Sequence, residues 1–287
     1  MTAVGEPPGP RAGSGTNDTS GARRIAAAFA AAAGAGRIAL VPYVVAGYPD
    51  AATSLRIALA AIDAGADLLE VGLPYSDPLA DGATLQRASG VALAAGATLD
   101  GSLRLIEDIA AARPSIPVVP MGYANQFLGG GDGAAAARRL AVAGAAGVIV
   151  ADLTPDEGGP FELVAADHDL AVVYLVAPTT PPARRATIAA RSGGFLYCVS
   201  LVGVTGARSS LPPTVGRLVR EVVAASPVPV GVGFGVSKPA HVKAIAKAGA
   251  GGVIVASALV DALGPDGTDV DALAQLVGRL ARATATA

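Results

Sequence analysis

The chain has 287 residues, with 21 Lys plus Arg against 23 Asp plus Glu, for a formal charge of −2. Its 52% apolar and 15% charged residues supply a large core and exclude the disordered class, while the balanced charge excludes the basic footprint of a nucleic-acid binder. A single cysteine, Cys198, excludes an internal disulfide and suits a reducing compartment, and two histidines leave little for a metal site or a Ser-His-Asp triad.

Residues 1–21 are rich in Gly, Pro, Ser and Thr without periodic pattern and read as a disordered tail, leaving 22–287 as one domain. Arg23-Arg24 before the apolar run Ile25 to Ala33 resembles an export signal. An alanine-rich helix opening the domain is the expected reading, because the strand-like Ile38 to Val45 leaves little room for a cleavage region. No apolar run reaches the ~18 to 20 residues of a membrane span.

Eight short Val/Ile/Leu runs follow: Ile38 to Val45, Asp67 to Val71, Pro117 to Met121, Gly147 to Val150, Ala171 to Val176, Phe195 to Val199, Pro229 to Val232 and Gly252 to Ala256. Near-continuous apolar runs suit parallel strands covered on both faces. Between them lie stretches of helical spacing, among them Thr53 to Ala64, Leu99 to Ala112, Ala134 to Ala143, Pro213 to Ala224 and Pro239 to Ala248. Glycines such as Gly65, Gly144 and Gly249 sit where a helix C-cap belongs. The alternation predicts a single (β/α)₈ barrel. An open doubly wound sheet is the rival, but the first strand-helix turn, Val45 to Asp50, has no G-x-G-x-x-G.

In a barrel the chemistry lies at the C-terminal strand ends. The loop after the second run, Glu70 to Gly82, is long and holds three acids. Glu70 alternates with Leu69 and Val71, so it faces either the barrel mouth or a helix partner. Facing inward, it becomes a desolvated carboxyl suited to acid–base work. Asp81 is either a second functional acid or a cap for the helix opening near Thr84, and Asp77 suits an Asx-type turn. Two further loops, Ser200 to Arg208 and Gly231 to Ser237, carry glycines suited to a flap and to a phosphate approached by backbone N–H groups.

Together, Pro42-Tyr43 with Gly47-Tyr48-Pro49, the Glu70 to Gly82 loop, Met121-Gly-Tyr-Ala-Asn125, Gly203-Val-Thr-Gly206 and Gly233-Phe-Gly235 resemble the tryptophan synthase alpha chain family. The likeness runs from about residue 22 to 282, and the alanine-rich helix matches the extra N-terminal helix that plugs the barrel in that family. The resemblance implies a lyase that cleaves indole-3-glycerol phosphate by a retro-aldol step to indole and D-glyceraldehyde 3-phosphate. Glu70 matches the catalytic glutamate and Asp81 the aspartate that binds the indole N–H. Tyr43, Tyr123 and Phe234 match positions lining the indole pocket, Tyr197 a tyrosine near the glycerol portion, and Thr205 a flap threonine that meets Asp81. Gly206, Gly235 and Ser257 match the phosphate site, with Ala256 where many members have Gly and Leu201 where many have Arg.

The same resemblance implies no cofactor and no metal in this chain, a beta-chain partner that carries pyridoxal phosphate, an alpha2beta2 tetramer in the cytoplasm, and Asp77 and Asn125 on the face toward that partner. A stand-alone indole-releasing lyase is the alternative. A non-catalytic activator would need neither acid, and another phosphate-binding barrel would not need the Asp77 to Gly82 motif.

Overall fold

A computed structural model describes residues 18–286 apart from Gly130, residues 200–212 and Phe234. The chain opens with α1 (Ser20–Gly34), whose cap Thr19 accepts the Ala22 N–H at 3.0 Å. The helix therefore starts two residues inside the stretch assigned to the tail. Capping by Thr19, together with bonds from the Ser20 and Gly21 N–H groups to Asp169, orders those residues.

Strand-helix units follow. They are β1 (Ala39–Val45) and α2 (Ala51–Asp63), then β2 (Leu69–Gly72) with α3 (Ala83–Ala94) and α4 (Leu99–Ala112), then β3 (Val118–Gly122) with α5 (Ala124–Leu128) and α6 (Ala134–Val142). Next come β4 (Gly147–Val150) and α7 (Pro155–Asp167), then β5 (Ala171–Val173) and β6 (Leu175–Val176) with α8 (Pro182–Arg191). The remainder is β7 (Leu196–Val199), α9 (Pro213–Ala225), β8 (Val230–Gly233), α10 (Pro239–Lys247), β9 (Gly252–Val255), α11 (Ser257–Ala262) and α12 (Val270–Arg282). Gly144 and Gly249 take positive φ of 86° and 90° past helix ends, as a helix C-cap requires.

The strands run in the order β5-β4-β3-β2-β1-β9-β8-β7-β6, and every described pairing is parallel. Since β5 and β6 are consecutive in the chain, the two ends of this order come together and the sheet is a nearly closed barrel. Eight staves were expected; nine strands appear because the fifth is interrupted at Tyr174. The Tyr174 N–H turns to the Ser192 hydroxyl at 3.0 Å, and its own hydroxyl donates to Glu162 at 2.5 Å. Arg191 completes this buried cluster with bonds of 3.0 and 2.7 Å to the same carboxylate. A side-chain bond thus replaces the ladder bond of the Tyr174 N–H, while its carbonyl still accepts the Tyr197 N–H at 3.0 Å.

The core has two layers. A larger apolar layer lies between strands and helices. The smaller one fills the barrel, where Val41, Leu68, Val119, Ile149, Val173, Phe195 and Ile254 meet Ile25 and Phe29 of α1. Phe29 stacks on Phe195 with ring centroids 5.4 Å apart. A Cβ on Gly252 would lie 2.7 Å from the Phe29 ring, so the bare backbone there makes room for the plug. Among the described residues no helix is long and apolar enough to cross a membrane.

Phe29→Ala should lower the unfolding free energy by about 3–5 kcal/mol through the cavity it leaves. A urea titration reads this directly. A loss below about 1 kcal/mol would show that the barrel floor does not depend on the ring.

Candidate active site

Strand alternation decides where Glu70 points. Leu68 lies in the barrel-interior layer, whereas Leu69 and Val71 lie in the outer one. Glu70, two residues beyond Leu68, therefore faces inward, at the level of Tyr43, its register partner on β1. It is only 1% exposed, and neither carboxyl oxygen has a hydrogen-bond partner among the described residues. Burial first, and then the charge of Asp81, push its pKa up to about 8. The outward alternative, with a helix Lys or Arg as partner, is excluded.

Asp81 comes in on the loop between β2 and α3. Gly82, not Asp81, takes the α3 cap position, and no side chain caps that helix. The loop's local bonds use the Asp81 backbone instead: its N–H donates to the Pro78 carbonyl at 3.0 Å, and its carbonyl accepts from Gln86 at 2.9 Å. The carboxyl is left free for the barrel mouth, where burial raises its pKa to about 6. Two acids with unequal pKa values thus face one space, and near pH 7 the inner is mainly protonated and the outer mainly ionised.

That space is a cavity of about 180 Å³, lined among others by Tyr43, Glu70, Asp81, Tyr197, Gly235 and Ser257. Burial, and then the nearby acids, raise both tyrosine hydroxyls well above their ordinary value, so they remain neutral. Each ring leans on a glycine of the next strand. A Cβ would come within 1.8 Å of the Tyr43 hydroxyl at Gly72, and within 2.9 Å of the Tyr197 ring at Gly233. Met121, Leu175, Val199 and Leu85 complete an apolar wall that the sequence reading did not assign. Leu175 follows Val173 by two residues on the inward face, so the alternation of the fifth run carried the signal.

Tyr123 is not among the lining residues; its hydroxyl accepts the Ala80 N–H at 3.0 Å, and its ring sits 5.0 Å from that of Tyr75. Asn125 and Asp77 are exposed near this mouth. Asn125 donates to the Tyr75 hydroxyl at 3.0 Å, and Asp77 accepts from the Ser76 hydroxyl at 2.6 Å. Thr205, Gly206 and Phe234, like Leu201, lie outside the described residues. Ala256 lines the cavity beside Ser257. The arrangement sets a protonated carboxyl and an ionised one against a largely apolar wall.

A family model described as tryptophan synthase alpha chain matches residues 29–285. A tryptophan synthase alpha chain of Roseiflexus castenholzii is 46% identical over 240 residues, covering 84% of this chain and 91% of that relative. One from Methanothermobacter thermautotrophicus is 43% identical over 243 residues, covering 85% and 89%. In shape the chain matches a solved structure of Mycobacterium tuberculosis tryptophan synthase with a TM-score of 0.84 at 40% identity, over 91% of this chain and 98% of that one.

The buried acid has a consequence for stability. An unperturbed glutamate titrates near 4.5, and Glu70 in the folded chain near 8, so between these values only the folded chain keeps the proton. The group's contribution is fully present below about pH 4.5 and is lost as pH rises to about 8. Glu70→Gln, which cannot ionise, should therefore gain stability over the parent across that window and level off above it. Urea midpoints of both proteins against pH test this; a pH-independent difference would contradict the raised value.

Proposed function

We infer the function from one premise: the chain belongs to the tryptophan synthase alpha chain family. It is a lyase of tryptophan biosynthesis, cleaving indole-3-glycerol phosphate to indole and D-glyceraldehyde 3-phosphate. The observation that carries our assignment of residues is the pair of acids with separated pKa values in one apolar cavity.

The chemistry follows from that pair. Breaking the C–C bond needs a proton on indole C3 and removal of one from the adjacent glycerol hydroxyl. Glu70, protonated near neutrality, gives its proton to C3. The carboxylate then accepts the hydroxyl proton while the O–H electrons become the aldehyde C=O. The electrons of the broken C–C bond return to the indole ring, so the acid is regenerated and no external base is consumed. Asp81, ionised, accepts the indole N–H and stabilises the positive charge that protonation places on the ring. Tyr43 and the apolar wall hold the flat ring, and Tyr197 serves the glycerol portion. Backbone N–H groups near Gly235 and Ser257 take the phosphate; Ala256 adds only a methyl and keeps its amide. By resemblance, Gly206 joins that site, Thr205 meets Asp81 when the flap closes, and Phe234 completes the indole pocket.

Family membership implies a beta-chain partner. We place it on the face bearing Asp77 and Asn125, in an alpha2beta2 tetramer of the cytoplasm, with pyridoxal phosphate held by the partner and none by this chain. Rate enhancement and co-purification with a beta chain separate this reading from a stand-alone lyase.

Glu70→Gln should lower indole release from indole-3-glycerol phosphate by about 10³-fold or more, and Asp81→Asn by about 10²-fold, with both variants folded. Turnover near the parent level by the Glu70 variant refutes the assignment.

A further inference from the structure

The loop that delivers Asp81 is long, and most of its own bonds are local. Leu79 N–H bonds to the Asp77 carbonyl at 2.9 Å and Asp81 N–H to the Pro78 carbonyl at 3.0 Å. Its near end is fastened to the β3 side, by Leu73 N–H to the Met121 carbonyl at 2.8 Å and by the Gln126 amide to the Pro74 carbonyl at 3.1 Å. Beyond Pro74, the Ala80 N–H reaches across to the Tyr123 hydroxyl at 3.0 Å, immediately before the acid. Tyr123 is suited to serve as an anchor. It is buried, its ring packs against Tyr75, and its own N–H is fixed by the Gln126 side chain at 2.9 Å. The α5 turn it precedes is tied further by the Ala124 N–H to Asp152 at 2.7 Å.

We propose that Tyr123 is a positioning residue: its hydroxyl, by accepting the Ala80 N–H, holds the adjacent Asp81 in the cavity where the substrate reacts. The idea rests on the role given to Asp81 above. It is additional to the pocket-lining role that the resemblance gives Tyr123: the phenol oxygen accepts the Ala80 N–H, and the ring is packed on Tyr75. Held this way, the acid keeps its angle to the ring N–H, and a displacement of about 1 Å at such a position costs on the order of 10²-fold in rate.

The test is Tyr123→Phe in the full chain, alone and combined with Asp81→Asn, with the thermal midpoint checked in each. Loss of the hydroxyl should lower kcat about tenfold or more with KM changed less than about twofold, and should cost less than about twofold once Asp81 is already Asn. Without substrate, a carbon-13 titration of the Asp81 carboxyl should fall from about 6 toward the ordinary aspartate value as the loop admits water. Replacing the Ala80 amide by an ester, which removes the N–H donor while keeping the Tyr123 side chain, should reproduce both effects. The proposal is overturned if Tyr123→Phe leaves the Asp81 midpoint in place, or if its full kcat loss persists in the Asp81→Asn background. Absence of indole release by the parent chain would instead sink the reaction assigned above, while the titration still decides the anchor.

Discussion

A carboxyl group shut into the barrel mouth, without a hydrogen-bond partner among the described residues, is the constraint on which the site depends. Among the described residues no cation holds Glu70 ionised; burial and the neighbouring Asp81 both favour its proton. An isolated buried carboxylate is costly, and the group avoids that cost by staying neutral until chemistry asks for its proton. The second acid, less buried and lower in pKa, takes the complementary role. Unequal burial of two like groups thus yields an acid and an anion from ordinary side chains.

The rest of the barrel keeps that asymmetry in place. At the floor, α1 fills the interior with Ile25 and Phe29. At the mouth, Gly72 and Gly233 let two tyrosine rings lie against neighbouring strands, narrowing the space around Glu70 without adding a charge of their own. The rings are neutral at physiological pH, so they supply hydroxyls without adding a competing anion.

Much of this was legible in the sequence. Runs of Val, Ile and Leu separated by helical stretches with glycine stops specify a parallel barrel, because such strands are covered on both faces. The spacing of Glu70 between Leu69 and Val71 left two orientations open, and only the packing of Leu68 inside and its neighbours outside chose between them. The break at Tyr174 was hidden, since it arises from Ser192, Glu162 and Arg191, which are distant in sequence. Asp81 looked equally suited to cap a helix, until Gly82 proved to occupy that position. The bond from Ala80 to Tyr123 joins residues 43 apart, and no local pattern announces it.

The most direct measurement is a carbon-13 NMR titration of the Glu70 carboxyl in the full chain, assigned by its disappearance in Glu70→Gln. The account predicts a midpoint raised to about 8. A midpoint near the ordinary glutamate value of 4.5 would contradict it, because the inner group would then be an anion at neutral pH with no proton to donate.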